Sequence, residues 1–343
     1  MIKMKKMNHI LPRLALLPVV AALLAASCNK TTGEGANVAI KRQFDAWRTI
    51  HYPNATEKGG IYIIEDTPGS GTNWDKSLPI TFMTYTIRTL NGTVSANTDE
   101  QWAKQLGKWD QTYYYGPQIV PTGEDASYAG MDLMLDGMRK GGTRTAIIPS
   151  WMMTYSRYDS VDKYLENETE NPSLIYTITF LDQTDNLVEF EYRQIRDYAS
   201  RQWNVTDTLT TAAVFFKSFT QFDDEPEEMP NDTTVYINYT GRRIYDGQVF
   251  DTTIADTAKV HHIYNPSKTY APVQISWAED AKSIKLAGNS VVNGFAYGLK
   301  AMHAGEKASF VFGYNLGYGS SGSGNMVPGY AALQFDIELV PEP

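Results

Sequence analysis

Five residues in the last third of the chain combine aromatic rings with two polar groups that could act on a bound molecule. Asp251 directly follows Phe250, Phe295 opens a short helical pattern, Tyr318 stands in a glycine-rich segment, and Phe335 lies in an alternating apolar segment. Phenylalanine is ordinarily a core residue. A carboxylate and a phenol differ, because a sealed core tolerates neither without a partner. Asp251 and Tyr318 are therefore the main candidates for chemistry beside an apolar pocket.

Other kinds of active site find little support in the sequence. The five histidines are scattered, and the adjacent His261 and His262 would point to opposite faces of a strand, which argues against a metal centre. The chain has no Gly-x-Ser-x-Gly elbow of a serine hydrolase. Residues 319–324 are glycine-rich, but no Lys-Ser or Lys-Thr follows them, so a phosphate-binding loop is rejected.

The sequence around these residues predicts a helix and a strand that would carry them. Between residues 291 and 339 the pattern predicts a short amphipathic helix between two apolar segments, then a glycine-rich loop and a terminal strand. In that strand Leu333, Phe335, Ile337 and Leu339 alternate with polar residues and share one face. This face is expected to cover the helix and to form the core.

The same plan occurs twice, which indicates an internal duplication. Residues 130–141 align with residues 294–305, and residues 42–47 align with residues 193–198. Each copy is predicted to begin with an amphipathic helix, the first capped by Asn37. The two apolar stripes are Ile40, Phe44, Trp47 and His51, and Val188, Tyr192, Ile195, Ala199 and Trp203. Two domains follow, at residues 37–185 and 186–343, and the acidic run 223–228 is predicted to be a solvated loop.

The second copy also resembles a known family. Its motifs, in order, are Tyr239-Thr-Gly241, Asp246-Gly247, Phe250-Asp251, Val291-Val-Asn-Gly-Phe295, Gly305-Glu-Lys307, Tyr318-Gly319, Val327-Pro328 and the terminal strand around Phe335. This series, over about residues 235–339, resembles the FKBP-type peptidyl-prolyl cis-trans isomerases. The resemblance implies an α+β fold with two FKBP-like domains. Each is a curved antiparallel β-sheet wrapped over a short α-helix and preceded by an amphipathic helix.

The resemblance also implies roles for individual residues, without a cofactor or a metal. Phe295 replaces the tryptophan usual at the pocket floor, and Tyr239 would line the side and hydrogen-bond toward Asp251. Tyr318 would donate its hydroxyl to a substrate carbonyl, while Asp251 would face the twisted amide. The predicted catalytic residues are thus Asp251, Tyr318, Phe250, Phe295 and Phe335, and the predicted substrate-binding residues are Tyr239, Val291, Val292, Val327, Val273 and Met326.

The chemistry expected of such a pocket follows from the amide bond. Rotation about a peptide bond crosses roughly 18–20 kcal/mol because resonance holds it planar, and X-Pro bonds exchange between cis and trans only slowly. The twisted transition state has lost resonance and charge separation, so it is less polar than either planar state. A dry apolar pocket therefore binds it better than the ground state, without a nucleophile.

The second copy departs from the family pattern in two ways. No arginine lies between Asp251 and Gly294, so the usual basic partner of the pocket aspartate is missing. Lys259 or a tyrosine would replace it, or the aspartate would be protonated more readily. The segment between Asp251 and Val291 is also longer than in the family, and its insert around Trp277 would either extend or cover the groove. Residues 319–324 are interpreted as a mobile rim of the pocket.

The first copy keeps the scaffold and lacks the polar chemistry. Ile87 stands where the second copy has Gly241, Ser95 and Ala96 stand in place of Phe250-Asp251, and Met131 takes the floor position. Tyr155 matches the tyrosine of the rim, though one residue out of step. The first domain is therefore predicted to be non-catalytic. Peptide binding, dimerisation and a spacer role all remain open for it.

The N-terminus has the features of a bacterial lipoprotein signal. Lys3, Lys5, Lys6 and Arg13 precede a short apolar run that ends at Cys28, the only cysteine of the chain. We expect a signal peptide at residues 1–27, lipid attachment at Cys28 and a flexible tether over residues 28–36. The alternative is a soluble periplasmic protein with an incidental cysteine. The expected location is the cell envelope, and the outer membrane is the preferred candidate for the anchoring membrane.

Charge narrows the set of partners. The formal net charge is −9, and removal of the four positive residues of the signal takes it to −13. Such an acidic chain is a poor candidate for nucleic acid or anionic lipid surfaces. The expected partners are proline-containing exported polypeptides and the membrane, the latter through the lipid.

The sequence thus predicts an isomerase that assists the folding of exported proteins. Two alternatives stay open, since function lies in the site and not in the fold. One is a non-catalytic peptide-binding or chaperone lipoprotein that uses the same groove. The other is an assembly or glycan-capture lipoprotein, which would need exposed aromatic residues outside the groove.

Overall fold

The computed structural model describes residues 37–123, 126–167, 171–209 and 212–342. These residues form two antiparallel β-sheets, each packed against a short helix. The strands of the first sheet lie between residues 56 and 184, and those of the second between residues 214 and 340. The predicted α+β class, with the same plan in each half, is confirmed.

The first half is built around its two longest strands, which pair with each other antiparallel although they are far apart in sequence. Its sheet has the order β1-β2-β6-β7-β3-β4, with β5 also paired to β3. The elements are α1 (Val38–His51), β1 (Thr56–Lys58), β2 (Ile61–Thr67), β3 (Ile80–Thr89), β4 (Val94–Asn97), α2 (Glu100–Gln105), β5 (Gln118–Pro121), α3 (Ala129–Leu135), β6 (Thr143–Ile148), α4 (Val161–Leu165) and β7 (Leu174–Thr184).

The second half repeats this arrangement. Its sheet has the order β13-β12-β11-β9-β15-β14-β8, with β10 also paired to β9. The elements are α5 (Leu187–Trp203), β8 (Val214–Ser218), β9 (Thr234–Arg243), β10 (Val249–Thr252), α6 (Ala255–Val260), β11 (Val273–Ser276), β12 (Lys285–Leu286), β13 (Asn289–Ser290), α7 (Asn293–Lys300), β14 (Lys307–Phe312) and β15 (Leu333–Val340).

The two sheets share one topology, as expected from a duplication. The order β2-β6-β7-β3 in the first half corresponds to β8-β14-β15-β9 in the second. The helix contacts also correspond. A Cβ at Gly130 of α3 would come within 2.3 Å of Ile148, and a Cβ at Gly294 of α7 within 2.3 Å of Phe312. Glycine at these aligned positions lets each helix lie directly on its sheet.

The alternation predicted for the terminal strand is confirmed. Leu333, Phe335, Ile337 and Leu339 of β15 are all buried, whereas Glu338 is exposed. Because β15 lies between β9 and β14, its apolar face lies at the centre of the second core. The register places Phe335 opposite Gly241 on one side and Phe310 on the other.

The two opening helices form where expected, but details of their packing differ. Asn37 precedes α1, yet its side chain donates to the carbonyl of Asn167 and makes no capping bond. In α5 the buried stripe includes Ile195 and Ala199 as predicted, while Val188 is 46% exposed. Leu187 and Glu191 are buried instead. Glu191 lies four residues before Ile195, and Leu187 lies four residues before Glu191. All three side chains are therefore on the same face of the helix.

The described residues contain no helix that is both long and apolar enough to cross a bilayer. The predicted signal peptide, Cys28 and the tether lie outside the described part of the chain.

Candidate functional site

A cavity of about 270 Å³ opens beside α7 at the concave face of the second sheet. It brings together all five predicted catalytic residues, which lie on four different segments of the chain. Four of the six predicted substrate-binding residues also line it, namely Tyr239, Val273, Val291 and Val292. The sequence pattern therefore located the cavity itself.

Aromatic rings form the floor and one wall of the cavity. Phe295 is 2% exposed, and its ring centroid lies 4.8 Å from that of Phe335 at an interplanar angle of 78°. Phe250 meets Phe335 at 5.7 Å and 84°, and it meets Tyr318 at 6.5 Å and 85°. Such edge-to-face pairs stabilise a rigid cluster. The result is a preformed apolar surface at the bottom of the cavity.

A β-bulge in β10 directs two consecutive residues into the cavity. Val249 pairs with Arg242, whereas Asp251 pairs with Gly241, so Phe250 is the extra residue. In a regular strand, neighbouring side chains point to opposite faces, and a bulge removes this constraint. Phe250 and Asp251 can therefore line the same pocket.

Asp251 is held by two polar partners at the rim. The hydroxyl of Tyr239 donates to Oδ2 of Asp251 at 2.6 Å, as the resemblance implied. The other oxygen, Oδ1, forms an ion pair with Lys268. Of the two partners considered in place of the family arginine, a tyrosine does contact Asp251, whereas Lys259 pairs with Asp256 on its own helix, α6. Lys268 lies in the loop between α6 and β11.

The two phenols of the pocket are hydrogen-bond donors at neutral pH. Burial raises the pKa of Tyr239 above its ordinary value, and the Asp251 carboxylate raises it further. Burial and Asp251 also raise the pKa of Tyr318. Tyr318 is nevertheless 37% exposed, so its side chain can be reached from the solvent. An anionic phenolate beside Asp251 is disfavoured, and both residues therefore stay protonated.

The insert after β11 extends the pocket wall. The β12–β13 hairpin contributes Leu286, Ala287, Asn289 and Ser290 to the cavity, none of which was predicted. Ala287 and Gly288 form its two-residue turn, both with positive φ. Gly288 is the only residue of this turn that favours a two-residue hairpin, because alanine rarely adopts a positive φ. Trp277, in contrast, is 2% exposed and belongs to the core.

Val327 and Met326 do not line the cavity, contrary to the prediction. They belong to the flap, which we define as residues 318–330. The flap closes on itself, because Ser323 donates to the carbonyl of Val327 at 2.8 Å and Tyr330 donates to that of Gly319 at 2.9 Å. This closure turns Val327 into the core, where it is 3% exposed.

The aligned site in the first half lacks the groups that form the pocket. The bulge is conserved in geometry, since Ile87 pairs with Ala96 and Arg88 with Val94. Ser95 is thus the extra residue, and Ala96 stands at the position of Asp251. Ile87 occupies the position of Gly241, where a side chain fills space that the rings of Phe250 and Phe335 occupy in the second half.

The other aligned residues of the first half fit the same conclusion. Met131, at the floor position, packs against the first core. Tyr155 is 54% exposed, and its ring centroid lies 4.8 Å from that of Tyr128 at an interplanar angle of 48°. Within the described residues, no group of three or more His, Cys, Asp or Glu side chains could hold a metal ion.

Comparison with known proteins identifies relatives of the second half. Residues 225–340 match the family model described as FKBP-type peptidyl-prolyl cis-trans isomerase. FK506-binding protein 2 of Candida glabrata is 31% identical over 112 residues, which are 33% of this chain and 65% of that protein. The macrophage infectivity potentiator of Trypanosoma cruzi is 30% identical over 104 residues, which are 30% of this chain and 40% of that protein.

Solved structures give a weaker match. The crystal structure of FkpA from Escherichia coli aligns with 45% of this chain and 58% of that chain, at 23% identity and a TM-score of 0.31. The chain thus spans less than two thirds of the length of each of these three proteins.

Proposed function

We propose that this chain, whose residues 225–340 form a domain of the FKBP-type peptidyl-prolyl cis-trans isomerase family, accelerates the rotation of X-Pro bonds at the cavity beside α7. The observation that carries the proposal is the composition of that cavity. A cluster of buried rings forms its floor, and one carboxylate and one accessible phenol stand at its rim.

The cavity supplies what an amide rotation needs. The proline ring would rest on Phe295, Phe335 and Phe250, where water is excluded. Because the twisted amide has less charge separation than the planar amide, the apolar floor favours the transition state over the ground state. Each ~1.4 kcal/mol of this preference accelerates the rotation about tenfold.

The two polar groups orient the peptide. The hydroxyl of Tyr318 would donate to a carbonyl of the substrate, which fixes the chain on one side of the rotating bond. The carboxylate of Asp251 would face the twisted amide, and Tyr239 and Lys268 hold this carboxylate in place. No covalent step and no proton transfer is required.

The first half would not contribute a second active site. Its aligned pocket has an alanine where the second half has Asp251, and an isoleucine where the rings need an empty space. We assign catalysis to the second half alone.

We also propose that the substrates are exported polypeptides and that the protein is anchored in the cell envelope. The support is the N-terminal sequence, with a short basic and apolar segment that ends at Cys28. A Cys28→Ser variant should move from the membrane fraction to the soluble fraction of the envelope. If the unchanged chain is already soluble, the anchoring proposal is wrong.

The isomerase proposal is tested by protease-coupled hydrolysis of a short X-Pro peptide with the full chain. Asp251→Ala should lower kcat/KM at least about tenfold, the loss of one oriented polar contact of ~1.4 kcal/mol. Asp256→Ala is the matched control, because this aspartate is exposed on α6 and pairs only with Lys259 among the described residues. Uncatalysed rates with the unchanged, folded chain would contradict the proposal, and the groove would then be a holding site.

A further inference from the structure

The first half reaches across to the flap of the second half through one turn. This turn, residues 110–115, is stiffened by Asp110, whose Oδ1 accepts from the backbone N–H and the hydroxyl of Thr112 at 2.8 and 2.7 Å. The carbonyl of Thr112 accepts from Nη1 of Arg243 at 3.1 Å. The ring of Tyr114 lies 5.6 Å from the guanidinium carbon of the same arginine.

Arg243 connects three segments while fully buried, with 0% of its side chain exposed. Its Nε and Nη2 donate to the two carboxylate oxygens of Asp246 at 3.0 and 2.7 Å. Its Nη1 also donates to the carbonyl of Met326 in the flap. A buried guanidinium is stable only when its donors are satisfied. The turn of the first half therefore supplies part of the environment that keeps Arg243 on the flap.

The contact of Arg243 with Met326 also restrains the neighbouring residues of the flap. Val327 is the next residue, and its carbonyl closes the bridge to Ser323. Gly322 and Gly329 sit so close to facing backbone that an added Cβ would lie 2.2 and 2.1 Å from carbonyl oxygens. A segment packed this tightly moves as a unit. Its base carries Tyr318, which lines the proposed active site.

A cleft separates another part of the flap from the first half. Asn325 lines a cleft of about 450 Å³ together with Tyr113 and Tyr115 of the turn. The first half thus faces the flap at two places, at Met326 through Arg243 and at Asn325 across the cleft, while Tyr318 lines the proposed catalytic cavity. The non-catalytic half is placed where it can hold one wall of the catalytic pocket.

We propose that the first half acts as a positioning element, in which Tyr114 and the 110–115 turn hold Arg243 against the flap and thereby set the affinity of the pocket for prolyl peptides. The part about affinity rests on the isomerase function proposed above. A loosened flap populates the binding-competent pocket for only a fraction of the time. The apparent KM then rises by the inverse of that fraction, while kcat at saturation is unchanged.

The test compares Tyr114→Ala with Tyr114→Phe in the full chain. Tyr114 is partly buried at the surface between the halves, so both variants should fold. The alanine variant removes the ring over Arg243, and the phenylalanine variant keeps it. Tyr114→Ala should raise KM about three- to tenfold and leave kcat within about twofold. Tyr114→Phe should match the unchanged chain in both.

Amide hydrogen exchange gives a second readout that needs no catalysis. In Tyr114→Ala the flap amides at 319–330 should exchange faster, while those of β14 keep their rates. Unchanged flap exchange, or an equal acceleration of β14, overturns the proposal. Faster flap exchange with an unchanged KM overturns the link to affinity. If the unchanged chain has no isomerase activity, the proposed function fails, and flap exchange alone decides whether the first half holds the flap.

Discussion

Phe335 and Gly241 face each other across β15 and β9, and the missing side chain at Gly241 makes room for the ring at the centre of the pocket. A Cβ at position 241 would lie 2.7 Å from Cε1 of Phe335 and 2.8 Å from Cζ of Phe250. The aligned pair in the first half is Tyr176 and Ile87. Ile87 is thus one of several aligned positions at which the first half departs from the ring cluster of the second.

Gly241→Ala should therefore distort the ring cluster of the pocket, although it adds only one methyl group. The rings of Phe335 and Phe250 must shift, and overpacking of this kind costs about 1–3 kcal/mol of unfolding free energy. KM for the X-Pro peptide should rise, because the floor is distorted. Denaturant unfolding and the protease-coupled assay check both effects. Thr234→Ala, at the exposed start of β9, is the control and should change neither. Unchanged stability and KM in Gly241→Ala would contradict this account of the pocket.

Lys268→Gln tests the ion pair that holds Asp251. Both side chains are more than a third exposed, so the change in unfolding free energy should be under about 1 kcal/mol. The effect on catalysis should be larger, because Asp251 loses one of its two restraints. We expect kcat/KM to fall by about two- to fivefold at low salt, and less at high salt where the pair is screened.

Lys259→Gln is the matched control for Lys268. Its ion pair with Asp256 lies on α6, and neither residue lines the cavity. It should leave kcat/KM unchanged at every salt concentration. Equal effects of the two lysine variants would show that general charge, and not the contact with Asp251, is responsible.

Glu191 should make stability depend on pH. Its carboxylate is 3% exposed, and it accepts from the backbone N–H of Tyr314 at 2.9 Å and from the hydroxyl of Tyr245 at 3.2 Å. Burial raises the pKa of Glu191 from 4.5 to about 7, although these two hydrogen bonds act in the opposite direction.

The folded state is stabilised by protonation of Glu191, because its pKa is higher there than in the unfolded state. Above about pH 4.5 the unfolded state releases a proton that Glu191 keeps in the folded state. The contribution of this residue to the free energy of unfolding is therefore complete below that pH and is lost as the pH rises through about 7. The loss is on the order of 3 kcal/mol. In Glu191→Gln this part of the pH dependence should disappear, while Glu189→Gln, at an exposed position of α5, should keep it. Chemical denaturation at pH 5.5 and pH 8 measures the difference. Parallel pH profiles for Glu191→Gln and the unchanged chain would contradict the assignment.

The parts of the fold that could be predicted are those with a local repeat. Alternation identified β15 and placed Phe335 inward, and the spacing of motifs placed Phe250, Asp251, Phe295 and Tyr318 in one pocket. These signals depend on residues close in sequence or on an ordered series of motifs.

The parts that could not be predicted depend on contacts between distant segments. Lys268 reaches Asp251 across a loop that has no periodic pattern, so the sequence suggested only Lys259 or a tyrosine as its partner. Val327 was placed in the pocket wall, but the closure of the flap on Ser323 turns it into the core. The contact of Thr112 with Arg243 joins the two halves, and nothing in either local sequence indicates it.

Exchange NMR of a short peptide with a single X-Pro bond observes cis–trans rotation without a coupled protease. It therefore tests directly whether this chain is a prolyl isomerase. With a catalytic amount of the full chain, cross-peaks between the cis and trans proline signals should appear. They should weaken strongly with Tyr318→Phe, which loses the hydroxyl at the rim, and persist with Tyr264→Phe, a partly exposed tyrosine that does not line the cavity. If the peptide signals shift and so show binding, but no exchange appears above the uncatalysed rate, the pocket holds prolyl peptides without rotating them and the isomerase assignment is wrong.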